Sequence, residues 1–466
     1  MMDVKESVVG KLLLRGKLEL ITPLLIGSGD RTGYVDTATI KDPDGMPYIP
    51  ATSLAGVLRH FFSENVGIPE AHPDYRLFWG YSLPKGDSMQ SALFIRDLVP
   101  QEPPRVIVRD GVRISPLGVA VDTFKYDYEV IEPGAKFDLY LEVTLRKQFN
   151  KDEFKRVFLF IVQALRSGEI SLGAMSTKGL GSVVLADGYE CREFDFSQRA
   201  DVISWLTADF SKGKSIELPR EWVYPRNNND CVAVIDLAIA NSLIIRDITA
   251  DGDADAVHLT SNGKPVITGT SLKGALKSRA KRIVSTLGAE ITVLDSLFGP
   301  DLPIERDVAK ESKTELKLRR SRFLVNEPEI RGAIPQTQTR VKIDRFTGGV
   351  IDNLLFKTEP LWSKDDECKV TTIKLVIKDY KDWEIGLLLM LIKDLWTGDL
   401  PIGGEKSIGR GTFVGLRAEL TYADKQVEIK NYNGNLVISG ASETELQQYV
   451  DALLTECARG GVTCIR

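Results

Sequence analysis

Gly173-Ala-Met-Ser-Thr-Lys178-Gly179-Leu-Gly181 returns 230 residues later as Gly403-Gly-Glu-Lys406-Ser-Ile-Gly409-Arg410-Gly411. Three glycines keep register, Leu172 is matched by Ile402, and a short β-branched or apolar run follows each turn (Val183-Val184; Thr412-Phe413-Val414). A glycine-rich turn between a helix and a strand lets backbone N–H groups approach a neighbour closely, because no Cβ stands in the way. Two such turns in one chain point to two copies of one domain.

Working outward, the copies stay in step. Leu12, Leu14, Leu18 and Leu20 alternate as in a half-buried strand, and Cys231 to Ile239 is patterned the same way. A loop rich in Gly and Asp follows each, and an offset of 219 sets Asp36 on Asp255. At offset 218, Pro50-Ala-Thr-Ser53-Leu-Ala-Gly-Val-Leu-Arg59 lies on Thr268-Gly-Thr-Ser271-Leu-Lys-Gly-Ala-Leu-Lys277. Both read as helix starts with Thr or Ser as the N-cap. Each copy then runs through a Leu-Phe-Gly-like signal, a strand, a turn-rich segment (Val112 to Lys125; Lys342 to Lys357), another strand and an apolar helix that leads to the glycine turn. The order β–α–β…β–α–β is the split βαβ plan of a ferredoxin-like fold, the architecture of the RNA-recognition motif. The expectation is α+β: a first domain over 1–213, a polar linker over 214–229 and a second domain over 230–466.

Composition narrows the function. At 466 residues with 43% hydrophobic and 27% charged side chains, the chain suits two or three globular domains. A net charge of −5 makes any nucleic-acid surface local and argues against a free-standing, non-specific DNA binder. Cys191, Cys231, Cys368, Cys457 and Cys464 are scattered and form no CxxC pair, which excludes a standard structural zinc site and argues against a disulfide framework. Met1-Met-Asp-Val-Lys-Glu is no signal peptide and no apolar run reaches membrane length, so a cytoplasmic protein without a membrane partner is expected.

The candidate chemistry is sparse. Glu405-Lys406-Ser407 hints at a Walker A box but lacks its spacing, leaving the glycine turn as an RNA-backbone cradle or as helix–strand packing. Asp36 and Asp255 precede the helices; a carboxylate there binds Mg²⁺ or orients a ribose 2′-hydroxyl, unless it is one more solvated loop aspartate like Asp30, Asp251 or Asp253. His60, His72 and His258 have no partner at ligand or triad spacing, which disfavours a histidine-based nuclease; His258 sits three residues from Asp255 but reads as a strand residue. Six basic residues between Lys310 and Arg322 read as a solvated insertion or a phosphate-tracking patch.

Strand, Gly/Asp loop, Ile49-Pro-Ala-Thr-Ser-Leu-Ala-Gly-Val-Leu-Arg59 helix, hairpin and closing Gly-x₅-Gly-x-Gly together resemble the RAMP superfamily of CRISPR proteins. The second copy, Ile267 to Lys277, departs from it with Thr for Pro and Lys for Arg, and lacks a counterpart of Lys41-Asp-Pro43. Within that superfamily the chain is similar to backbone subunits of type III effector complexes, and the fused double form resembles the tandem backbone proteins of type III-D-like systems. The resemblance implies a subunit that stacks along CRISPR guide RNA beside a large signalling subunit and further backbone and small subunits. A hairpin thumb in each copy kinks the guide–target duplex, and a loop aspartate cuts target RNA with Mg²⁺ or another divalent metal. It places catalysis and metal on Asp36 and Asp255. RNA contacts are expected on the glycine turns and helix starts, at Ser53, Lys178, Gly179, Gly181, Ser271, Lys406, Gly409, Arg410 and Gly411, and on Arg59, Lys277 and Arg279 of the capped helices, for which plain helix solvation is an equal reading. Two alternatives remain: a non-catalytic filament subunit, and a guide-processing endonuclease, against which the shortage of histidine counts.

Overall fold

The computed structural model describes residues 7–29, 35–68, 72–83, 88–115, 118–226, 229–247, 254–301, 320–363, 370–432 and 434–459. The chain divides into two units: Met1–Val108, Tyr126–Ser176 and Leu180–Asn228 make the first, and Arg109–Lys125, Thr177–Gly179 and Asn229–Arg466 the second.

In the first unit the alternating leucines form β1 (Val8–Leu20), with Leu12, Leu14, Leu18 and Leu20 at most 1% exposed. α1 (Ala51–Val66) and α2 (Pro73–Trp79) lead to β2 (Leu93–Ile95); β3 (Val106–Ile114) and β4 (Ala120–Ile131) form a hairpin, of which Arg109–Lys125 is counted with the second unit; β5 (Lys136–Arg146), α3 (Lys151–Ser167), β6 (Val183–Leu185), β7 (Glu190–Asp195) and β8 (Lys214–Ser215) complete the first. The antiparallel sheet runs β8-β7-β1-β5-β2, with β6 also on β1. Its register sets Leu14 opposite Leu141 and Leu12 opposite Val143, so one face is apolar throughout. α1 covers that face with Leu54, Leu58 and Phe62, one turn apart, and α3 with Phe154, Phe158, Ile161 and Leu165. Each such fully buried side chain contributes about 1.5–3 kcal/mol.

The second unit repeats the plan. β9 (Cys231–Ile239), β10 (Arg246–Asp247), β11 (Ala256–His258), α4 (Gly269–Thr286), β12 (Phe323–Val325), the hairpin β13 (Gln338–Ile343) and β14 (Val350–Glu359), β15 (Thr371–Ile377), α5 (Asp382–Trp396) and β16 (Phe413–Tyr422) follow in order. β17 (Lys425–Tyr432), β18 (Asn435–Ser439) and α6 (Glu443–Arg459) extend it. The sheet order is β12-β15-β9-β16-β17-β18. In each unit the opening strand lies between the strand before the closing helix and the strand after it, with the short second strand outside. That is the ferredoxin-like order, and both units have it.

Two expectations change. The stretch expected as a polar linker packs on the first unit as far as Arg226. Lys214 and Ser215 pair with Glu193 and Arg192, Gln163 donates to the carbonyls of Pro219 and Glu221, and Tyr224 is buried edge-on against Phe62 and Phe160. Its prolines and charges are polar, but Trp222, Val223 and Tyr224 are not, and that aromatic surface decides the outcome. The helix caps also differ. Thr268 caps α4 by accepting from Ser271 N–H (3.4 Å), whereas Pro50 precedes α1 and its freed Ala51 N–H donates to the Asp97 carboxylate (2.7 Å). A carboxylate two residues beyond β2 thus replaces the local hydroxyl, with the charge suited to a helix N-terminus.

Cys191, Cys231 and Cys457 are free and buried, and Cys368 and Cys464 lie outside the described residues. No described helix is long and apolar enough to cross a membrane.

Candidate nucleic-acid interface

Asp36 and Asp255 occupy the same place in the two units. Asp36 is exposed, and its Oδ2 accepts the backbone N–H of Asp127 on β4 (3.1 Å). Asp255 is exposed, and its Oδ2 accepts the backbone N–H of Lys357 on β14 (2.8 Å). Beside each, the chain bridges the hairpin strand in parallel, Thr37 with Tyr128 and Ala256 with Thr358. One carboxylate oxygen is therefore pinned to the return strand of a hairpin, and Oδ1 takes no hydrogen bond from the described residues. This pairing joins segments about a hundred residues apart, so sequence could align the aspartates but not reveal what holds them. Asp30, Asp251 and Asp253 lie outside the described residues. Among the described residues no three His, Cys, Asp or Glu side chains cluster as a metal cage.

The glycine turns are laced shut by their own backbone. Gly181 N–H donates to Pro23 O and Gly411 N–H to Ser242 O, both at 2.7 Å; Leu172 and Ile402 donate back to the carbonyls of Gly181 and Gly411. Gly181 and Gly411 stand at φ 78° and 79°, and a Cβ would lie 1.8 Å from Leu172 O and 2.0 Å from Ile402 O. Their lack of a side chain serves this fold-back. Gly181→Ala or Gly411→Ala is expected to cost about 1–3 kcal/mol from backbone strain, with the Cβ clash adding to it, read as a lowered urea midpoint. An unchanged midpoint would show that the turn opens freely. Gly179 (φ 83°) is close-packed, its Cβ position 2.6 Å from Asn326 C and Glu327 N, whereas Gly409 (φ 86°) and Lys406 face solvent.

The remaining sites separate. Ser53 is half-buried in the first turn of α1, and Arg59 is exposed one face away, over the Tyr75 ring. Ser271 Oγ accepts from Thr268 Oγ1 (2.9 Å) within the cap of α4. Arg279 is tied to the buried Asp394 (2.6 Å) and pins α4 to α5. Arg410 is 2% exposed and paired with Glu405 (3.0 Å). His258 is buried: Nδ1 accepts from Ile245 N–H (3.2 Å) and Nε2 faces Val266 O (3.0 Å), while burial pulls its pKa down to about 4. Both ring nitrogens are engaged, so it belongs to the loop's scaffold rather than to Asp255 chemistry. Of the basic run, Lys310, Lys313, Lys317 and Arg319 lie outside the described residues, and Arg322 is bound to the buried Glu384.

One cluster does assemble. Within the second unit, Lys178, Lys277 and Arg320 surround Lys273, whose Nζ donates to Ser321 Oγ (2.9 Å) and Thr177 O (3.3 Å). Burial first, then the charges of Lys178, Lys277 and Arg320, bring the Lys273 pKa down to about 7; burial and Lys277 lower that of Lys178. Asp301 balances Lys277 (2.8 Å), but no carboxylate is paired with Lys273 among the described residues. Sequence reasoning passed over Lys273. The available signal was its place in the apolar stripe of Gly269, Leu276 and Ala280, where a lysine is out of character; the first copy has Ala55 there.

No curated protein matches the chain. The profile described as "RAMP superfamily" matches residues 17–184 and 250–414. That superfamily is generally associated with CRISPR RNA binding and with multisubunit complexes. One match falls on each ferredoxin-like unit and together they span most of the sequence: the chain belongs to the RAMP superfamily.

Proposed function

We propose that this protein is a guide-RNA-binding backbone subunit of a type III CRISPR effector complex and that it cleaves guide-paired target RNA at Asp36 and Asp255. The observation that carries the reading is the pair of exposed aspartates, each fixed by one carboxylate oxygen at the base of a hairpin. Anchoring by a backbone N–H holds the carboxylate without neutralising it and leaves Oδ1 toward solvent. Such a group can accept the proton of a ribose 2′-hydroxyl as its oxygen attacks the adjacent phosphorus and the 5′-oxygen leaves. A single carboxylate suits Mg²⁺, which commonly takes one or two carboxylates and completes its shell with water and phosphate. Asp36 and Asp255 would each hold such an ion, and it would supply charge neutralisation at the phosphate.

The test is target cleavage by the reconstituted guide complex, comparing wild type with Asp36→Ala, Asp255→Ala and both, with Mg²⁺ and with EDTA. Loss of one product per variant supports the reading. An unchanged product pattern leaves a scaffold subunit.

The lysine cluster supplies the guide contact in this reading. A phosphodiester beside Lys273 favours its charged form, so binding takes up a proton above pH 7. Guide-RNA affinity is expected to fall as pH rises from 7 to 9, by up to about tenfold per unit. Lys273→Gln flattens that dependence; a profile that is flat in the wild type removes the cluster from the interface.

A further inference from the structure

The second glycine turn carries a charge constellation that the first does not. Met175 and Glu405 correspond at an offset of 230, and both adopt the left-handed backbone, φ 58° and 55°. Around Met175 the first unit is apolar, with Leu25, Tyr128, Val130 and Leu180 buried together. In the second unit Arg410 stands where the first has Leu180. Three guanidiniums converge on Glu405: Arg340 Nη1 donates to Oε2 (3.0 Å), Arg246 Nη2 donates to Oε1 (3.1 Å), and Arg410 Nε forms an ion pair with Oε2 (3.0 Å). Gln338 Oε1 accepts from Arg340 Nη2 (3.2 Å) and Arg410 Nη2 (2.5 Å).

Three cations against one carboxylate leave two positive charges in excess. Arg410 is 2% exposed and its Nη1 has no hydrogen-bond partner among the described residues. Burial lowers its pKa, and Arg340 and Arg246 add to the lowering against the opposing pull of Glu405. Arg246 and Arg340 open to solvent, with side chains 52% and 36% exposed. Nε and Nη1 of Arg246 and Nε of Arg340 take no partner among the described residues. Two planar forks, held apart by one glutamate and backed by a buried third, match the geometry of a phosphate better than lysines would. Arg246 lies on β10 and Arg340 on β13, the outer strands of the four-stranded sheet β10-β11-β14-β13. Asp255 immediately precedes β11 of the same sheet.

We propose that Arg246 and Arg340, fixed by Glu405 and backed by Arg410, form a phosphate seat in the second repeat, without a counterpart among the described residues of the first, which takes an RNA phosphodiester on the sheet that carries Asp255. This rests on the RNA-binding reading above. It makes the repeats unequal: the first holds its hairpin base by apolar packing, and the second by a charged network that ligand completes.

The full-length protein is titrated with a single-stranded RNA oligonucleotide across a salt series, comparing wild type with Arg246→Gln/Arg340→Gln. Loss of one phosphate contact is expected to make the log–log salt slope shallower by about 0.7 and to weaken binding about tenfold near physiological salt. Arg246→Lys/Arg340→Lys, which keeps the charge and loses the fork, should fall between. If the Gln pair does not fold, Arg246→Gln alone, half exposed with a single tie to Glu405, takes its place. Wild type and variant binding alike, with equal slopes, overturns the seat. Inorganic phosphate raising the thermal midpoint of the wild type alone, with RNA binding unchanged by the variant, overturns the RNA assignment in favour of free phosphate. Wild type that binds no RNA overturns both this inference and the reading beneath it.

Discussion

Asp36→Asn is expected to reduce one target-RNA product by about a hundred- to ten-thousandfold and to leave the others unchanged. The asparagine oxygen still accepts the Asp127 N–H that anchors Asp36, so the hairpin junction survives. What disappears is the negative charge and the proton acceptor at the outward oxygen. Guide-RNA affinity should therefore stay within about twofold, and the whole loss should appear in the single-turnover rate rather than in binding. Asp255→Asn removes a different product for the same reason, since Lys357 N–H holds it in the same way. Equal rates at every position for both variants would reduce the aspartates to structural staples between loop and hairpin.

Glu327→Gln is expected to destabilise the protein by about 3–5 kcal/mol. Arg109, which belongs to the second unit, meets Glu327 fork to fork, with Nη1 2.8 Å from Oε2 and Nη2 3.0 Å from Oε1. Both side chains are 2% exposed, so water screens neither. An amide keeps one acceptor and loses the charge that meets the buried guanidinium fork to fork. Removing both charges is a different matter: Arg109→Met/Glu327→Leu should recover most of the loss, because the desolvation cost goes with the pair. Urea unfolding of the full chain measures both, and each transition is fitted separately because the chain has two units. A single substitution costing under about 1 kcal/mol would mean that the site is wet.

Both repeats were legible because each is a short-range pattern. The leucines at 12, 14, 18 and 20 announce a half-buried strand by their period, and the three glycines of each turn mark a backbone that folds back on itself. The aspartates were legible only as an alignment, and Arg59 and Lys277 only as basic positions on the two capped helices. Arg279 and Arg410 looked alike in sequence as free cations. Asp394 on α5 and Glu405 in the turn draw them inward, and partners 115 and 5 residues away are equally invisible to periodicity. Lys273 stands in the apolar stripe of α4, which marks it as unusual, but the cations gathered around it come from segments far apart in the chain.

By itself the sequence determined the duplication, the ferredoxin-like strand order and the family, since hydrophobic period and turn chemistry act within a few residues. The tertiary structure alone decided which charges remain available. Whether a cation meets RNA or a carboxylate depends on which distant strand lies beside it, and burial, by stripping away water, makes that choice worth several kcal/mol. The same physics separates the two glycine turns. Methionine and leucine fill the first, glutamate and arginine the second, and only the folded sheet shows that this exchange leaves two unmatched positive charges on the outer strands of the sheet beside which Asp255 lies.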